Sequence, residues 1–409
     1  MSALFRSLIC CRRFTSSILE ESVLYKTVRR GTVKYGYTSG TCRISSIFGN
    51  FHCATFHTTS RRHAVWLANP YLYRIVAFVG GRLMRRWWKK LPDKTRRRYV
   101  GVLSKSGHWI FVGTLGAFAG SAGYYAYHLE EAPISHRRRF MAVDQSEMKE
   151  IGDYLFSLEM ATAQDKIVSA GHPSYARVLG VTTKLVQANK WDEALDVNWR
   201  IVIIDDPTVT AYVMPSGQIV VYTGLLDMMK TDDMLAVILG HEMAHAIMGH
   251  MGENASQEQL INFFSLIIIT LVWFLLPDVT AFFTQWLEKK LTDVFMKLPY
   301  SRKLEGEADV VGLMFAARAC YDIRESSVLW ETLAVADGDN QPVEWLSTHP
   351  AHETRAGYLD MIIPDFIEYR KKCNCDDLKD RDLKAFKEVV CREVLEKRRQ
   401  QRNQRGINL

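Results

Sequence analysis

The chain has 409 residues, 48% hydrophobic and 24% charged, a globular composition that excludes full disorder and gives room for two or three structural units. Its net charge of +7 is unevenly placed: residues 1–108 carry 21 Lys/Arg against Glu20, Glu21 and Asp93, a balance of +18, so 109–409 carry −11. A uniformly basic nucleic-acid binder is thereby excluded, and no nucleic-acid partner is expected; the basic part reads as a targeting or membrane-surface segment and the acidic part as the working domain. Eight Cys with no C-x-x-C pair are too few for a disulfide scaffold and argue against a thiolate zinc site.

Residues 1–60, rich in Arg, Ser and Thr and poor in acids, read as a mitochondrial presequence. No uninterrupted apolar core follows the first basic residues, as a secretory signal would need. Residues 61–108 form a basic segment, and within it residues 82–98 combine nine cations with a Trp pair. Paired Trp beside Lys/Arg suits a membrane interface with anionic lipid, which in a mitochondrion would be cardiolipin. Arg85, Arg86, Trp87, Trp88, Lys89 and Lys90 are the candidate lipid-binding residues. RNA binding and a solvated charge run are the alternatives; adjacency to the next segment favours the membrane.

That next segment, Trp109–Tyr127, is 19 residues without a charge, long enough to cross a bilayer as a helix. Its Gly116-x-x-x-Gly120 face could pack against another helix. Seven Lys/Arg lie in the 20 residues before it and three in the 20 after, which puts the N-terminal side in the matrix and residues beyond 128 in the intermembrane space.

The remainder is mixed α and β. Trp199–Ile204 and Ile219–Tyr222 are strand candidates flanking a Pro215-Ser216-Gly217 turn. Thr231 should cap a helix running to about His250, with Asp232 and Asp233 in its first turn. Ser301 should open a second helix, to about Ala317. Residues 260–276 are mostly apolar and stop at Pro277, marginal for a span; a helix that is buried or dips into the membrane surface is expected. Residues 377–409 read as a charged, helical tail ending in disorder.

The chemistry concentrates in His241-Glu242-Met243-Ala244-His245. Four residues apart on a helix, two imidazoles share one face and can reach one Zn²⁺. Glu242, turned about 100° further, addresses not the metal but the water it activates, as a general base. Gly240 and Ala244 would leave room around the metal. A catalytic zinc needs a third protein ligand and an open position. His250, Glu305, Glu307, His349 and His352 are available. His250, nine residues from His241, should point to the opposite side, as a surface residue, although a loop break after Gly249 could redirect it. Glu305 and Asp309 share a helix face, so one can bind metal while the other orients a ligand.

His241-Glu242-x-x-His245, then Ser301-Arg302-x-x-Glu305-x-Glu307-Ala308-Asp309, then Trp345-Leu346-Ser347-Thr348-His349-Pro350 with Arg355, resemble the membrane zinc metallopeptidases of the HtpX and CAAX-prenyl-protease type. With the strand-turn segment 217–226, the presequence and the N-terminal span, the chain is most similar to the stress-activated Oma-type family of the mitochondrial inner membrane. The resemblance implies an α+β, mostly helical zincin-like domain with a small β-sheet over 128–376, preceded by a single transmembrane helix. It implies one Zn²⁺, with Glu305 as third ligand, Asp309 supporting it and His349 serving substrate or oxyanion from the cleft wall. It also favours a disulfide between Cys320 and Cys375. One departure is Thr210-Ala211, where the family often has Asn-Ala on the edge strand thought to pair with substrate; main-chain pairing survives the change.

The expected function is a zinc-dependent endopeptidase cleaving membrane-tethered inner-membrane proteins, among them, by resemblance, the dynamin-like fusion GTPase, with self-cleavage and a homo-oligomeric state. The rival is a catalytically inactive membrane scaffold with a structural zinc. Glu242 argues against it, because a structural site needs no base.

Overall fold

The computed structural model describes residues 25–29, 32–36, 70–190, 197–337, 343–349 and 353–404. Two short strands come first, β1 (Tyr25–Arg29) and β2 (Thr32–Gly36). Three helices follow: α1 (Pro70–Lys90), α2 (Asp93–Lys105) and α3 (Gly107–Tyr127). A hairpin of β3 (Leu129–Glu131) and β4 (Arg138–Phe140) leads into α4 (Gln145–Thr162) and α5 (Pro173–Ala188). Next are β5 (Trp199–Ile204), β6 (Ala211–Val213), β7 (Gln218–Tyr222) and the short α6 (Thr223–Met228). The rest of the described chain is helical: α7 (Asp232–Met248), α8 (His250–Leu275), α9 (Asp278–Thr292), α10 (Leu298–Arg318), α11 (Glu325–Asp337), α12 (Glu344–Thr348), α13 (Glu353–Lys372) and α14 (Leu383–Gln404).

The fold is α+β and mostly helical. Its larger sheet has the order β2-β1-β5-β7-β6, with β5 and β7 parallel and the other pairs antiparallel. β5 and β7 are apolar on both faces, so the sheet lies inside the domain. Ile203 and Ile219 of the sheet share one buried core with Leu235, Ile238 and Leu239 of α7 and Val311 and Phe315 of α10, and α7 packs closely along α10. Helix α7 is apolar nearly all round because it runs through the centre. Thr231 caps it, its side chain accepting from Met234 N. The cross-over of α7 and α10 is set by two glycines. A Cβ on Gly240 would lie 2.8 Å from Gly312 O, and one on Gly312 would lie 2.6 Å from His241 N. Gly240 therefore serves helix contact, not space around a metal as expected from the sequence.

Several boundaries differ from the sequence expectation. β1 and β2 fall within the expected presequence, yet they pair with the sheet through Thr27↔Arg200 and Val28↔Trp199; their β-branched and aromatic residues suit an edge hairpin. The rest of residues 1–60 lies outside the described residues. Helix α10 opens at Leu298 instead of Ser301, because Pro299 is tolerated in a first turn. The expected tail instead docks as α14, with Val390 and Val394 buried and Lys387 paired to Glu331 at 2.7 Å. Cys320 and Cys375 are joined by a disulfide, with Cα atoms 5.3 Å apart.

Helix α3 forms where a span was expected and has no buried residue. Among the described residues, however, the helix long and apolar enough to cross a membrane is α8, 26 residues long and mostly uncovered by the rest of the chain. Five glycines and Tyr124, Tyr125 and Tyr127 dilute the hydropathy of α3. α8 is only partly covered: Ile269 and Trp273 pack against Tyr73 and Ala77 of α1, while Phe263, Phe264, Ile267, Ile268 and Leu271 are exposed. The basic–aromatic segment lies at the far end of α8. There Arg85 pairs with Asp278 and donates to Leu276 O, and Trp88 stands 6.3 Å from Phe274. Arg85 is thus engaged within the chain, whereas Arg86, Lys89 and Lys90 are exposed.

Candidate metal centre

Helix α7 presents His241 and His245 one turn apart, with Nε2 atoms 3.1 Å from each other. The Gly240–Gly312 contact holds α10 close enough to bring Glu305 between them, at 3.5 Å from His241 Nε2 and 3.4 Å from His245 Nε2. α12 then carries His349 in from a third direction, its Nδ1 3.0 Å from Glu305 Oε2 and 3.4 Å from His241 Nε2. Ligand atoms of His241, His245, Glu305 and His349 all lie within 4.8 Å of one another.

These residues fit a zinc ion. Ligands about 2.0–2.1 Å from a tetrahedral zinc stand about 3.3–3.4 Å apart, close to the spacings seen. Two imidazole nitrogens 3.1 Å apart beside a carboxylate also call for a positive charge between them. Protonation follows suit. Burial, then the nearby His241 and His250, hold His245 well below the ordinary imidazole range. Burial opposes ionisation of Glu305, but hydrogen bonds from His241 and His349 outweigh it and keep the carboxyl well below its usual range. Burial likewise opposes protonation of His241, yet Asp309 and Glu305 raise it to about 9. A metal cation at the point of convergence would take the place of that proton.

Each member of the site is held by a further residue. His241 Nδ1 lies 3.0 Å from Asp309 Oδ1. Arg355 grips Asp309 with two hydrogen bonds of 2.7 Å and reaches Glu305 at 3.0 Å, its guanidinium resting 3.9 Å from the Trp330 ring centre. Trp345 Nε1 donates to Glu242 Oε1 at 2.7 Å, and its ring stacks on His349 at 4.8 Å. Glu242, His245, Glu305 and His349 line a cleft of about 410 Å³ whose wall also includes Tyr212, Val213 and Pro215. That wall contains β6, the last strand of the sheet.

The structure thus brings His241, Glu242, His245, Glu305, Asp309 and His349 together. His349 stands among the metal-facing donors as well as on the cleft wall. His250, expected at the surface, is 2% exposed. Gly249 takes a left-handed conformation, φ 67°, which breaks the helix and turns His250 back, its Nδ1 2.9 Å from His245 Nδ1. Glu307 points away from the convergence and holds His250 and Arg137. His352 lies outside the described residues. Sequence reasoning passed over the roles of Trp345 and Arg355, although both stand in the quoted motif; their partners are 103 and 46 residues away.

A helical histidine pair joined by a carboxylate from a second helix, with a free carboxylate beside an open cleft, defines an HExxH metallopeptidase. The family profile "Peptidase family M48" matches residues 176–363. The chain is 33% identical over 352 residues to the human protein named "Metalloendopeptidase OMA1, mitochondrial", covering 83% of this chain and 67% of that one. To the zebrafish protein of the same name it is 36% identical, covering 85% and 75%. To the budding-yeast "Mitochondrial metalloendopeptidase OMA1" it is 30% identical, covering 70% and 80%. The chain belongs to peptidase family M48 and, within it, to the mitochondrial Oma-type metalloendopeptidases.

Proposed function

We propose that the protein is a zinc endopeptidase of the mitochondrial inner membrane that cleaves membrane-tethered proteins near the bilayer. The observation that carries this reading is the convergence of His241, His245 and Glu305 beside Glu242 in an open cleft. Zinc, when bound, would polarise the scissile carbonyl and acidify the attacking water. Glu242 takes the proton of that water and delivers it to the leaving amine. Trp345 fixes the carboxylate for both transfers. The free edge of β6 offers main-chain groups to an extended substrate, so peptide is held by backbone pairing regardless of Thr210. Exposed apolar faces on α3, α8 and α9 support residence in a membrane, and the charge split across α3 supports a matrix-side N-terminus with the peptidase in the intermembrane space.

The Oma-type kinship supports a stress-responsive role, with the dynamin-like fusion GTPase and the chain itself as substrates, and a homo-oligomer. Arg86, Lys89, Lys90 and the Trp pair support contact with cardiolipin. A second reading, a scaffold with structural zinc, draws on His349 as a fourth donor, since four protein ligands would close the site. The test is comparative proteomics of mitochondria carrying wild-type protein or Glu242→Gln, before and after depolarisation. Endopeptidase substrates accumulate uncleaved in the variant; identical cleavage patterns with equal zinc content would leave the scaffold.

A further inference from the structure

We propose that His250, Glu307 and Arg137 form a relay that fixes the tautomer and orientation of His245, so that the β3–β4 hairpin completes the metal centre. The proposal rests on the zinc-site reading above. His245 turns Nε2 toward the convergence and Nδ1 away from it, 2.9 Å from His250 Nδ1. Two ring nitrogens at that distance share one proton. For Nε2 of His245 to keep its lone pair for a cation, the proton sits on its own Nδ1, and His250 Nδ1 accepts it. His250 then carries its proton on Nε2, which lies 3.2 Å from Glu307 Oε2. The relay ends at Arg137, whose guanidinium reaches Glu307 at 2.6 and 3.1 Å and Glu253 at 2.7 Å twice; Ser135 also donates to Glu307. Every ring nitrogen of His250 and every head group beyond it has a partner. His250 and Glu253 are essentially inaccessible to solvent.

The arrangement parallels the one behind His241, where Asp309 and Arg355 play carboxylate and clamp. An extra imidazole is needed behind His245 for a geometric reason. Glu307 is two residues from Glu305, about 200° around α10, so it faces away from the metal and cannot reach His245 itself. The left-handed Gly249 brings His250 into that gap. Ser135 and Arg137 lie in the turn directly behind α3, between β3 and β4, so the segment next to the proposed membrane helix is tied to ligand-bearing α10 through Glu307 and to α8 through Glu253. These are positioning residues: His250 borders the cleft but acts on the metal-facing donors through His245.

Zinc affinity of the purified full-length protein, measured by competition with a chromogenic chelator, tests the relay, alongside the visible spectrum of the cobalt-loaded form. His250→Ala and Glu307→Ala should each weaken zinc by about 10–100-fold and alter the cobalt bands. The double variant should be no worse than either alone, because both break one chain. His250→Gln should hold within about threefold of wild type, since its amide accepts from His245 and donates to Glu307. Single variants within about twofold of wild type, or losses that add in the double variant, would overturn the relay. Should His250→Ala fail to fold, Glu307→Ala and His250→Gln decide alone: a glutamine variant that folds yet loses zinc refutes the hydrogen-bond role. Glu305→Ala is the control on the site itself. If it keeps zinc, the ligand assignment falls and the relay with it; if it loses zinc while Glu307→Ala does not, the relay alone falls.

Discussion

Glu242 is held on one carboxylate oxygen by the Trp345 indole at 2.7 Å, and His349 Nε2 stands 3.4 Å from the same oxygen. Such restraint suits a base that must take a proton along one direction and return it along another. Glu242→Gln keeps the shape and removes the base. Turnover should fall by about 10²–10⁴-fold with zinc content unchanged; loss of zinc would mean that Glu242 shapes the metal site itself. Trp345→Phe keeps the stack on His349 but deletes the donor. A single hydrogen bond to a charged group, about 1.5 kcal/mol, corresponds to roughly tenfold in kcat with KM little changed. Wild-type kcat in that variant would remove Trp345 from the account. At this scale the sequence revealed what sits close in the chain. The spacing of His241, Glu242 and His245 follows from helical pitch alone. Glu305 emerged as the third ligand only through resemblance, since Glu307, His349 and His352 were also available. His250 was misplaced because its direction depends on one left-handed glycine, and a continued helix would have sent it elsewhere.

Between elements, the decisive contact is α7 against α10, where Gly240 and Gly312 let backbones touch. Gly312→Ala places a methyl against His241 N and should cost about 1–3 kcal/mol while weakening zinc. Gly306→Ala, on the same helix with open space around its Cβ, should gain up to about 1 kcal/mol from helix propensity. Thermal unfolding of the two variants checks the contrast; equal effects would mean that the glycine contact does not set the helix spacing. The Cys320–Cys375 disulfide, closing a separation of 55 residues, ties the end of α10 to the end of α13. The chain-entropy account gives it at most about 4 kcal/mol, so reduction or Cys375→Ala should lower the unfolding temperature measurably. No shift on reduction would show that packing alone secures that end. Strand and helix positions were readable from apolar runs and caps, as with Trp199–Ile204 and Thr231. The Gly240–Gly312 contact was not, because a glycine in a helix looks alike whether it borders a metal or a neighbouring backbone.

Across the whole molecule, the charge split and the exposed α3 give the orientation its test. Protease added to mitochondria with only the outer membrane opened should digest the peptidase domain beyond residue 128; a protected domain would reverse the proposed topology. Here sequence and structure diverge in emphasis, since hydropathy singles out α8, which begins at His250 beside the metal centre, above the glycine-rich α3. Docking of α14 on α11 was hidden for a similar reason, its few apolar positions being outnumbered by charge. The narrow β6 edge beside Glu242 has a consequence for what such an enzyme responds to. Only an extended stretch of chain can lie along a strand edge, so a target folded as a helix must first come undone there. A target held shut by about 2.8 kcal/mol is open about 1% of the time, and its cleavage slows about 100-fold in proportion. On the proposed function, the rate of cutting would read the local unfolding of the target more than its sequence, and whatever loosens a neighbouring protein would raise that rate without any change in the peptidase.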